Sequence, residues 1–351
     1  MIDRGELVRK LALNVARFTG LAPIARPWAG GLGAILMLHR VTVAPEKPMG
    51  LNRHLTVRPS FLDRLIADMK RKRYRFVSLD EAVDRIRAGK ADERFATITA
   101  DDGYRDNLTE ALPVFEKHET PFTIYVAPGL INGTSDLWWD VVEDIVTARE
   151  RFYVSTREGR VMVDCSNPAR KLAAASSLHQ YLTTDVSEED QTSIVRALAV
   201  SVGVDPSAPR RSLMTWEEIR RIATHPLCTI GAHTVNHYNL RRLSLEKAWR
   251  EVADAAGILR IETGETPRHF AYPYGYGSAV GEREVGIARE AGYLSAVTTR
   301  HGVLKAAHRD FLHALPRISI NGRYQRVAHV RTMLSGLTTP LANAGKMVVT
   351  V

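Results

Sequence analysis

Cysteines and long hydrophobic runs are scarce in this sequence, and each scarcity excludes a class of protein. The 351-residue chain has two cysteines, Cys165 and Cys228, which fit no metal-ligand spacing and cannot form a disulfide framework. No run approaches the roughly 18 apolar residues that a membrane-spanning helix requires. The chain also lacks internal repeats, and its 45% hydrophobic and 25% charged residues exclude a disordered or collagen-like protein. The composition is that of a soluble globular protein.

Acidic residues are outnumbered by basic ones. The 48 Lys and Arg against 39 Asp and Glu give a net charge of +9. This surplus favours an acidic partner such as nucleic acid, anionic lipid or an anionic polymer, although an arginine-rich composition bias accounts for it equally well. The basic run at residues 70–75 is interpreted as the last turn of a helix. Because no nucleic-acid-binding motif accompanies it, no nucleic-acid partner is expected.

The first 33 residues are predicted to form a short amphipathic helix and a linker rich in proline and glycine. Arg17 interrupts the early apolar stretch, so a secretory signal peptide is not expected. Packing of this helix on the body of the protein is favoured over binding to a membrane surface, which remains the alternative. The predicted location is the cytoplasm, with the inner membrane face as the alternative.

Seven short apolar runs have the length of buried parallel strands. They cover residues 34–39, 95–100, 122–127, 228–232, 269–272, 294–298 and 316–320. Helical patterns separate most of them, at 60–73, 78–88, 107–117, 215–223, 244–262 and 282–291. This alternation indicates a parallel sheet with helical crossovers. The pattern leaves open whether the strands close into a barrel or form an open doubly wound sheet.

One connection, residues 128–227, is too long for a simple crossover. It contains a helical pattern at 138–149, a β-hairpin at 152–163 and two further helical patterns at 169–182 and 187–200. An insertion of this length is expected to be either a lid or a packing subdomain.

Two groups of candidate metal ligands follow predicted strands. Asp101 and Asp102 end the second strand, and His233 and His237 follow the fourth. Parallel α/β folds collect their active groups at the carboxyl ends of the strands, so these side chains are expected to meet. Two histidines and one carboxylate, with water in the remaining position, form an open catalytic site for zinc or a similar divalent metal. The second carboxylate can then accept a proton from that water.

The fifth strand leads into the segment Tyr272-Pro273-Tyr274-Gly275. Pro273 fixes a turn, and Gly275 permits close approach of the backbone to a ligand. The tyrosine rings could stack on sugar faces. The alternative is an ordinary turn whose rings pack on the surface.

Three segments together resemble the first three motifs of the polysaccharide deacetylase family, the NodB-homology carbohydrate esterases. They are Thr99-Ala100-Asp101-Asp102-Gly103, His233-Thr234-Val235-Asn236-His237 and Ala271-Tyr272-Pro273-Tyr274-Gly275. The resemblance covers roughly residues 35–320. It implies an α/β fold, a distorted (β/α) barrel of about seven parallel strands with a long insertion between strands three and four. It also implies a divalent metal, with zinc as the expected ion.

The resemblance also implies roles for individual residues. Asp102, His233 and His237 would hold the metal, and Asp101 would be the general base that activates water. The backbone N–H of Tyr274 would stabilise the oxyanion. The predicted substrate-binding residues are Tyr272, Pro273, Tyr274 and Gly275.

Two features depart from the family pattern. The arginine that often orients the base is missing from the third motif, and Arg317 on the last strand is expected to replace it. The histidine that usually ends the last strand is also missing. His313 is not expected to replace it, because it precedes that strand and should lie at the opposite end of the barrel. His39, at the end of the first strand, is therefore predicted to protonate the leaving amine.

The sequence predicts a metal-dependent hydrolase that removes N-acetyl groups from an amino-sugar-containing glycan, glycolipid or lipid-linked precursor. An N-acetylated carbohydrate is the expected partner. The alternatives are an O-acetyl esterase or deformylase acting on a sugar, and a catalytically inactive carbohydrate-binding module. The predicted units are an N-terminal helix and linker at 1–33, a barrel at 34–322 that contains the insertion, and a C-terminal helix and tail at 323–351.

Overall fold

A computed structural model describes Asn14, Arg26 and residues 28–156 and 159–351. The predicted N-terminal helix lies outside these described residues, apart from those two positions, and so do two residues at the predicted hairpin turn, 157 and 158. The assignment of the chain to three units stays a prediction.

Seven parallel strands close into a barrel within the described ranges. The strands in chain order are β1 (Gly33–Leu38), β2 (Arg40–Val41), β3 (Thr56–Val57), β4 (Arg75–Phe76), β5 (Phe95–Ala100), β6 (Phe122–Val126), β7 (Arg151–Thr156), β8 (Gly159–Asp164), β9 (Cys228–Ala232), β10 (His269–Ala271), β11 (Ser295–His301) and β12 (Leu315–Ser319). The barrel order is β1, β12, β11, β10, β9, β6 and β5, and β5 pairs back onto β1. This closure decides between the two sheet arrangements that the sequence leaves open, and the fold is a distorted (β/α) barrel.

The barrel strands form where the sequence has short, uninterrupted apolar runs. Every residue of β1 and β5 is buried, because these strands are covered by helices outside and by side chains within the barrel. All seven predicted strands are confirmed: β5 and β9 have the predicted bounds, and the ends of the others differ by at most three residues. The strands missing from the prediction, β2, β3 and β4, are two residues long and are too short to show a period.

Helices surround the barrel. In chain order they are α1 (Pro59–Arg71), α2 (Leu79–Ala88), α3 (Leu112–Lys117), α4 (Pro128–Asn132), α5 (Trp138–Ala148), α6 (Pro168–Thr184), α7 (Glu188–Ser201), α8 (Trp216–Ala223), α9 (Leu245–Thr263), α10 (Glu282–Glu290), α11 (Val327–Leu334) and α12 (Thr338–Ala342). A π-helical turn (Asn107–Ala111) precedes α3, and short 3₁₀ turns lie at Arg53–Leu55, Ala208–Ser212, Leu240–Arg242, Ala306–Asp310, Leu312–Ala314 and Gly322–Tyr324. Side-chain caps at Ser78, Thr215 and Ser244 fix the starts of α2, α8 and α9.

The insertion between β6 and β9 packs around a hydrophobic cluster of its own. Helices α5, α6 and α7 and the antiparallel hairpin β7–β8 contribute to this cluster, which includes Ile145, Leu178 and Val195. The predicted helices and hairpin of this segment are confirmed. Cys165 is buried in the same cluster, and neither it nor Cys228 forms a disulfide.

The chain after β12 packs on the outside of the barrel. Helix α11 contacts α1 through an ion pair between Arg331 and the buried Asp68. The C-terminal residues return towards β11, where His308 lies 3.1 Å from the carbonyl oxygen of Val349. Within the described ranges, none of the helices combines the length and the hydropathy needed for a bilayer span.

Candidate functional site

The carboxyl ends of the barrel strands surround one cleft of about 560 Å³. Most of the candidate residues predicted from the ends of β1, β5, β9 and β10 line it: His39, Asp101, Asp102, His233, His237, Tyr272 and Tyr274. Loops after parallel strands meet at this face of a barrel, which is where such folds place their reactive groups. Helices α5 and α6 of the insertion form part of the opposite wall.

Asp102, His233 and His237 form the one group of potential metal ligands found among the described residues, with all three ligand atoms within 4.8 Å of one another. The Oδ1 atom of Asp102 lies 3.5 Å from Nε2 of His233 and 3.3 Å from Nε2 of His237. That oxygen is buried and accepts no hydrogen bond within the described structure. A buried carboxylate oxygen normally has a partner, so this donor set fits a divalent cation held between the three side chains.

The carbonyl oxygen of Ala271, on β10, orients His233. It lies 2.7 Å from Nδ1 of the imidazole, which directs Nε2 towards Asp102. Metal-ligating histidines usually donate their second ring N–H in this way. Burial opposes ionisation of Asp102, but the imidazoles of His233 and His237 beside it hold the pKa of Asp102 well below its usual range. The carboxylate is therefore in the charged form that a cation requires.

Asp101 is held by Arg317. The guanidinium of Arg317 donates from Nη1 and Nη2 to the two carboxylate oxygens of Asp101, both at 2.7 Å. Arg317 is fully buried, and it also donates to Oγ1 of Thr99 and to the carbonyl of Thr298. Although burial opposes ionisation of Asp101, this cation keeps the pKa of Asp101 below its ordinary value. The pairing places Arg317 where the sequence prediction expected it.

His39 faces the same carboxylate. Its Nε2 atom lies 3.9 Å from Oδ2 of Asp101, and burial lowers the pKa of the imidazole despite the nearby aspartates. His313 is not in the cleft: its Nε2 atom lies 2.7 Å from the carbonyl oxygen of Tyr293. Of these two histidines, only His39 lines the cleft.

The turn after β10 brings two tyrosines to the cleft. Tyr272 lines the cleft but is only 1% exposed, and its hydroxyl donates to the carbonyl of His313. Its role in binding a sugar stays a prediction. Tyr274 also faces the cleft, with its ring 5.3 Å from that of His237. A Cβ on Gly275 would lie 2.5 Å from the backbone nitrogen of Thr299, so only glycine fits there.

Backbone strain is concentrated around the cleft. Among the described non-glycine residues, seven have positive φ, and Asp102, Thr234, His237 and Tyr274 are four of them. Their φ values lie between 60° and 73°. Such conformations cost roughly 1–3 kcal/mol each and are typical of functional sites. The strained backbone aims both loop-borne ligands, Asp102 and His237, at one point.

The insertion supplies residues that the sequence interpretation did not assign to the site. The Trp138 indole donates to the hydroxyl of Tyr274, and the Trp139 indole donates to the hydroxyl of Tyr104. The Trp139 ring lies 5.0 Å from that of His237. Two adjacent tryptophans at the start of an amphipathic helix were the available signal, but only the tertiary structure shows that α5 faces the metal ligands.

A buried glutamate of the insertion also holds the loop that carries His237, a candidate metal ligand. Glu188, at the start of α7, accepts hydrogen bonds from the backbone nitrogen of Asn239 and from Nη1 of Arg242. On the other side of His237, the carboxylate of Glu251 accepts from both nitrogens of Asn236. The loop carrying His237 is therefore held by one glutamate from the insertion and one from the barrel helix α9.

Comparison with protein families gives one match. The family model described as polysaccharide deacetylase matches residues 88–295. This span includes the metal-ligand candidates and the whole insertion. No curated protein matches the chain in a sequence search.

Solved structures resemble most of the chain. The Streptococcus pyogenes deacetylase PplD, solved in complex with acetate, is 20% identical with a TM-score of 0.57, covering 86% of this chain and 97% of that one. IcaB from Ammonifex degensii is 17% identical with a TM-score of 0.55, covering 87% and 98%. A de-N-acetylase from Aggregatibacter actinomycetemcomitans is 13% identical with a TM-score of 0.53, covering 86% and 99%. At these identities the likeness is one of fold.

Proposed function

Because the chain belongs to the polysaccharide deacetylase family, we propose that it is a metal-dependent hydrolase that removes N-acetyl groups from an amino-sugar-containing glycan, glycolipid or lipid-linked precursor. The observation that carries this proposal is the meeting of three metal-ligand atoms with a separate carboxylate in one cleft. One carboxylate serves as a ligand and the other is available as a base. This division of roles is what hydrolysis by activated water requires.

Asp102, His233 and His237 would hold the divalent cation, for which zinc is the expected ion because two imidazoles and a carboxylate suit it. When bound, the cation would supply Lewis-acid polarisation of the acetyl carbonyl and a lowered pKa for water. The support from this chain is the buried, unpartnered Oδ1 of Asp102 and the fixed orientation of His233.

In this proposal Asp101 accepts a proton from water as the water oxygen bonds to the carbonyl carbon. Arg317 orients the carboxylate and keeps it ionised, which is the form that accepts a proton. As the C–N bond breaks, His39 passes to the leaving amine the proton that Asp101 has taken from water, so that acetate and a free amino sugar remain and Asp101 is ionised again. The backbone N–H of Tyr274 is assigned to the oxyanion.

Acetate release from a matched panel tests the proposal. N-acetyl, O-acetyl and N-formyl derivatives of glucosamine oligomers are incubated with the purified protein, before and after removal of metal by a chelator. The expected result is release from the N-acetyl compounds, loss on chelation and recovery with added zinc. Preference for the O-acetyl or N-formyl compounds would reassign the bond. Sugar binding without any release would favour an inactive carbohydrate-binding module.

The unit proposed to carry this activity is residues 34–322, including the insertion. Cytoplasmic location and association with the inner membrane face stay predictions, as does the identity of the sugar.

A further inference from the structure

Helix α9 turns an apolar outer face to solvent. On this face Leu245 is 61% exposed, Trp249 38% and Ile261 78%, while the opposite side of the helix is buried on the barrel. Together the three side chains extend along about 24 Å of helix. Single exposed apolar residues are common on soluble proteins, whereas a row of them along one side of a helix is typical of a contact surface.

A glycine interrupts this outer face at a position where packing within the chain does not require one. Gly257 lies inside α9, and a Cβ built on it would meet nothing within 4 Å. Glycine in the interior of a helix costs about 1 kcal/mol relative to alanine. The space in front of Gly257 is therefore open, and it is available to a side chain from another molecule.

Opposite charges lie at the two ends of the same face. Glu246, Ala253 and Arg260 follow one another at seven-residue spacing, so each lies within about 20° of the next around the helix. The side chain of Glu246 is 72% exposed and forms an ion pair with Arg250 on the same helix. Arg260 is exposed, and none of the described residues pairs with its guanidinium. The outer face thus has an acidic N-terminal end and a basic C-terminal end.

These positions are complementary to themselves in an antiparallel pair of α9 helices centred on Ala253. A two-fold axis at that residue brings Trp249 of one copy beside Gly257 of the second, where the indole fills the open space. The same axis brings Glu246 of one copy beside Arg260 of the second. An isologous contact makes each of these pairs twice. Because Ala253 and Gly257 are small, the helix axes can approach to the usual packing distance of about 8–10 Å.

From this geometry we infer that the outer face of α9 is a homodimer interface, on which a second copy of this chain packs antiparallel through its own α9. The inference does not depend on the proposed function, because within the described part of the chain no residue of α9 lines the cleft. Trp249 is the expected main contributor, since tryptophan is enriched among the residues that dominate interface energies. A contact made by one pair of helices is small for a protein interface, so the dimer should dissociate reversibly in about the micromolar range.

Sedimentation velocity of the full chain over a range of protein concentrations tests the inference. The wild type should shift from monomer to dimer as its concentration rises. Trp249→Ala removes the indole and Gly257→Leu fills the space that receives it, so each should weaken the dimer about 10-fold or more. Circular dichroism should show that both variants remain folded. Tyr153→Ala is the matched control, because Tyr153 is 49% exposed on β7 of the insertion, and it should leave the dissociation constant unchanged.

Charge reversal tests the antiparallel pairing. Glu246→Arg and Arg260→Glu should each weaken self-association, because like charges then meet at both ends of the contact. An equimolar mixture of these two variants should form a heterodimer with about wild-type affinity, because opposite charges meet again at both ends. A wild type that stays monomeric at every concentration would overturn the inference, as would a dimer that Trp249→Ala and Gly257→Leu leave unchanged. A mixture that associates no better than the separate variants would reject the antiparallel pairing.

Discussion

Carboxylates are buried near the cleft in both the barrel and the insertion, but their pKa values are shifted in opposite directions. At the barrel strand ends, Asp101 and Asp102 are 2% exposed, and their pKa values lie below the ordinary value although burial opposes this. On helix α5 of the insertion, Asp140 is 7% exposed, and burial raises its pKa to about 6. Similar burial thus leads to opposite shifts.

The difference lies in the partners. Asp101 has a bidentate guanidinium, and Asp102 faces two imidazoles, whereas the carboxylate of Asp140 accepts from the neutral amide of Asn52 at 3.0 Å. A positively charged partner offsets the energetic cost of burying a carboxylate. A neutral amide offsets little of that cost. The carboxylates at the barrel end therefore stay ionised, as the proposed chemistry requires, while the insertion positions aromatic rings and loops.

The largest effect is expected when a metal ligand on the barrel side is removed. In His233→Ala, two candidate ligands remain, and the protein should retain no bound divalent cation after gel filtration. Elemental analysis of the purified protein measures this directly. His225→Ala is the control, because His225 lies before β9 with its ring 3.3 Å from Glu116, outside the cleft. Unchanged metal content in His233→Ala would reject the ligand set.

The next effect concerns the base. Asp101→Asn keeps the shape of the carboxylate but cannot accept the proton, so kcat should fall about 10²- to 10⁴-fold while metal content is maintained. Thermal unfolding should show a lower midpoint, since buried Arg317 loses its charged partner. Asp106→Asn is the control, because Asp106 pairs with Arg40 outside the proposed reaction centre. Turnover at the wild-type rate would remove Asp101 from the mechanism.

A third substitution tests whether the insertion contributes to metal binding. Glu188 belongs to the insertion but holds the loop of His237, so Glu188→Ala should weaken metal affinity about 10- to 100-fold. Competition with a zinc indicator gives the constant. Glu188→Gln, which keeps an acceptor for the Asn239 N–H, should recover part of the loss. Glu189→Ala, which removes only an exposed ion pair with Lys247, should change nothing. Equal affinities in all four proteins would confine metal binding to the barrel.

The smallest effect is a change in the pH dependence of stability. Aspartate in the unfolded chain titrates near 3.8, and Asp140 in the folded protein near 6. Above pH 6 the folded state carries a buried charge that costs stability, and below about pH 4 both states are protonated and the cost disappears. Asp140→Asn should therefore raise the free energy of unfolding by about 1–3 kcal/mol at pH 8 and leave it unchanged at pH 4.

Denaturant titrations at the two pH values measure this difference. The control is Asp144→Asn on the same helix, because Asp144 is about one-third exposed and pairs with Lys47. It should show no gain at pH 8. A gain for Asp140→Asn that is equal at both pH values would mean that packing, and not charge, is responsible.

The sequence predicts the barrel side well, and the reason is geometric. Strand ends of a parallel barrel meet at one face, so motifs after β5 and β9 must converge, and Arg317 on β12 can reach Asp101 across the interior.

The insertion side could not be predicted in the same way. Its helices and hairpin are visible in the sequence, but hydrophobic periodicity does not determine which face turns towards a neighbouring unit. Trp139 and His179 line the cleft, a placement that depends on how α5 and α6 pack in the tertiary structure. Glu188 follows the helix cap Ser187 and is typical of the first turn of a helix, where acidic residues are common. Its long-range contact with Asn239 leaves no local signal.

The left-handed residues around the cleft bear on how this protein could be made to tolerate heat. Thr234 is β-branched, fully buried and at φ 60°, so its backbone carries a standing energetic cost in every folded molecule. A glycine there would relieve about 1 kcal/mol or more of backbone strain. It would also allow the two histidines that are candidate metal ligands to move more freely. The substitution that most easily raises thermal stability would therefore lie at a position where the proposed activity is most sensitive to change.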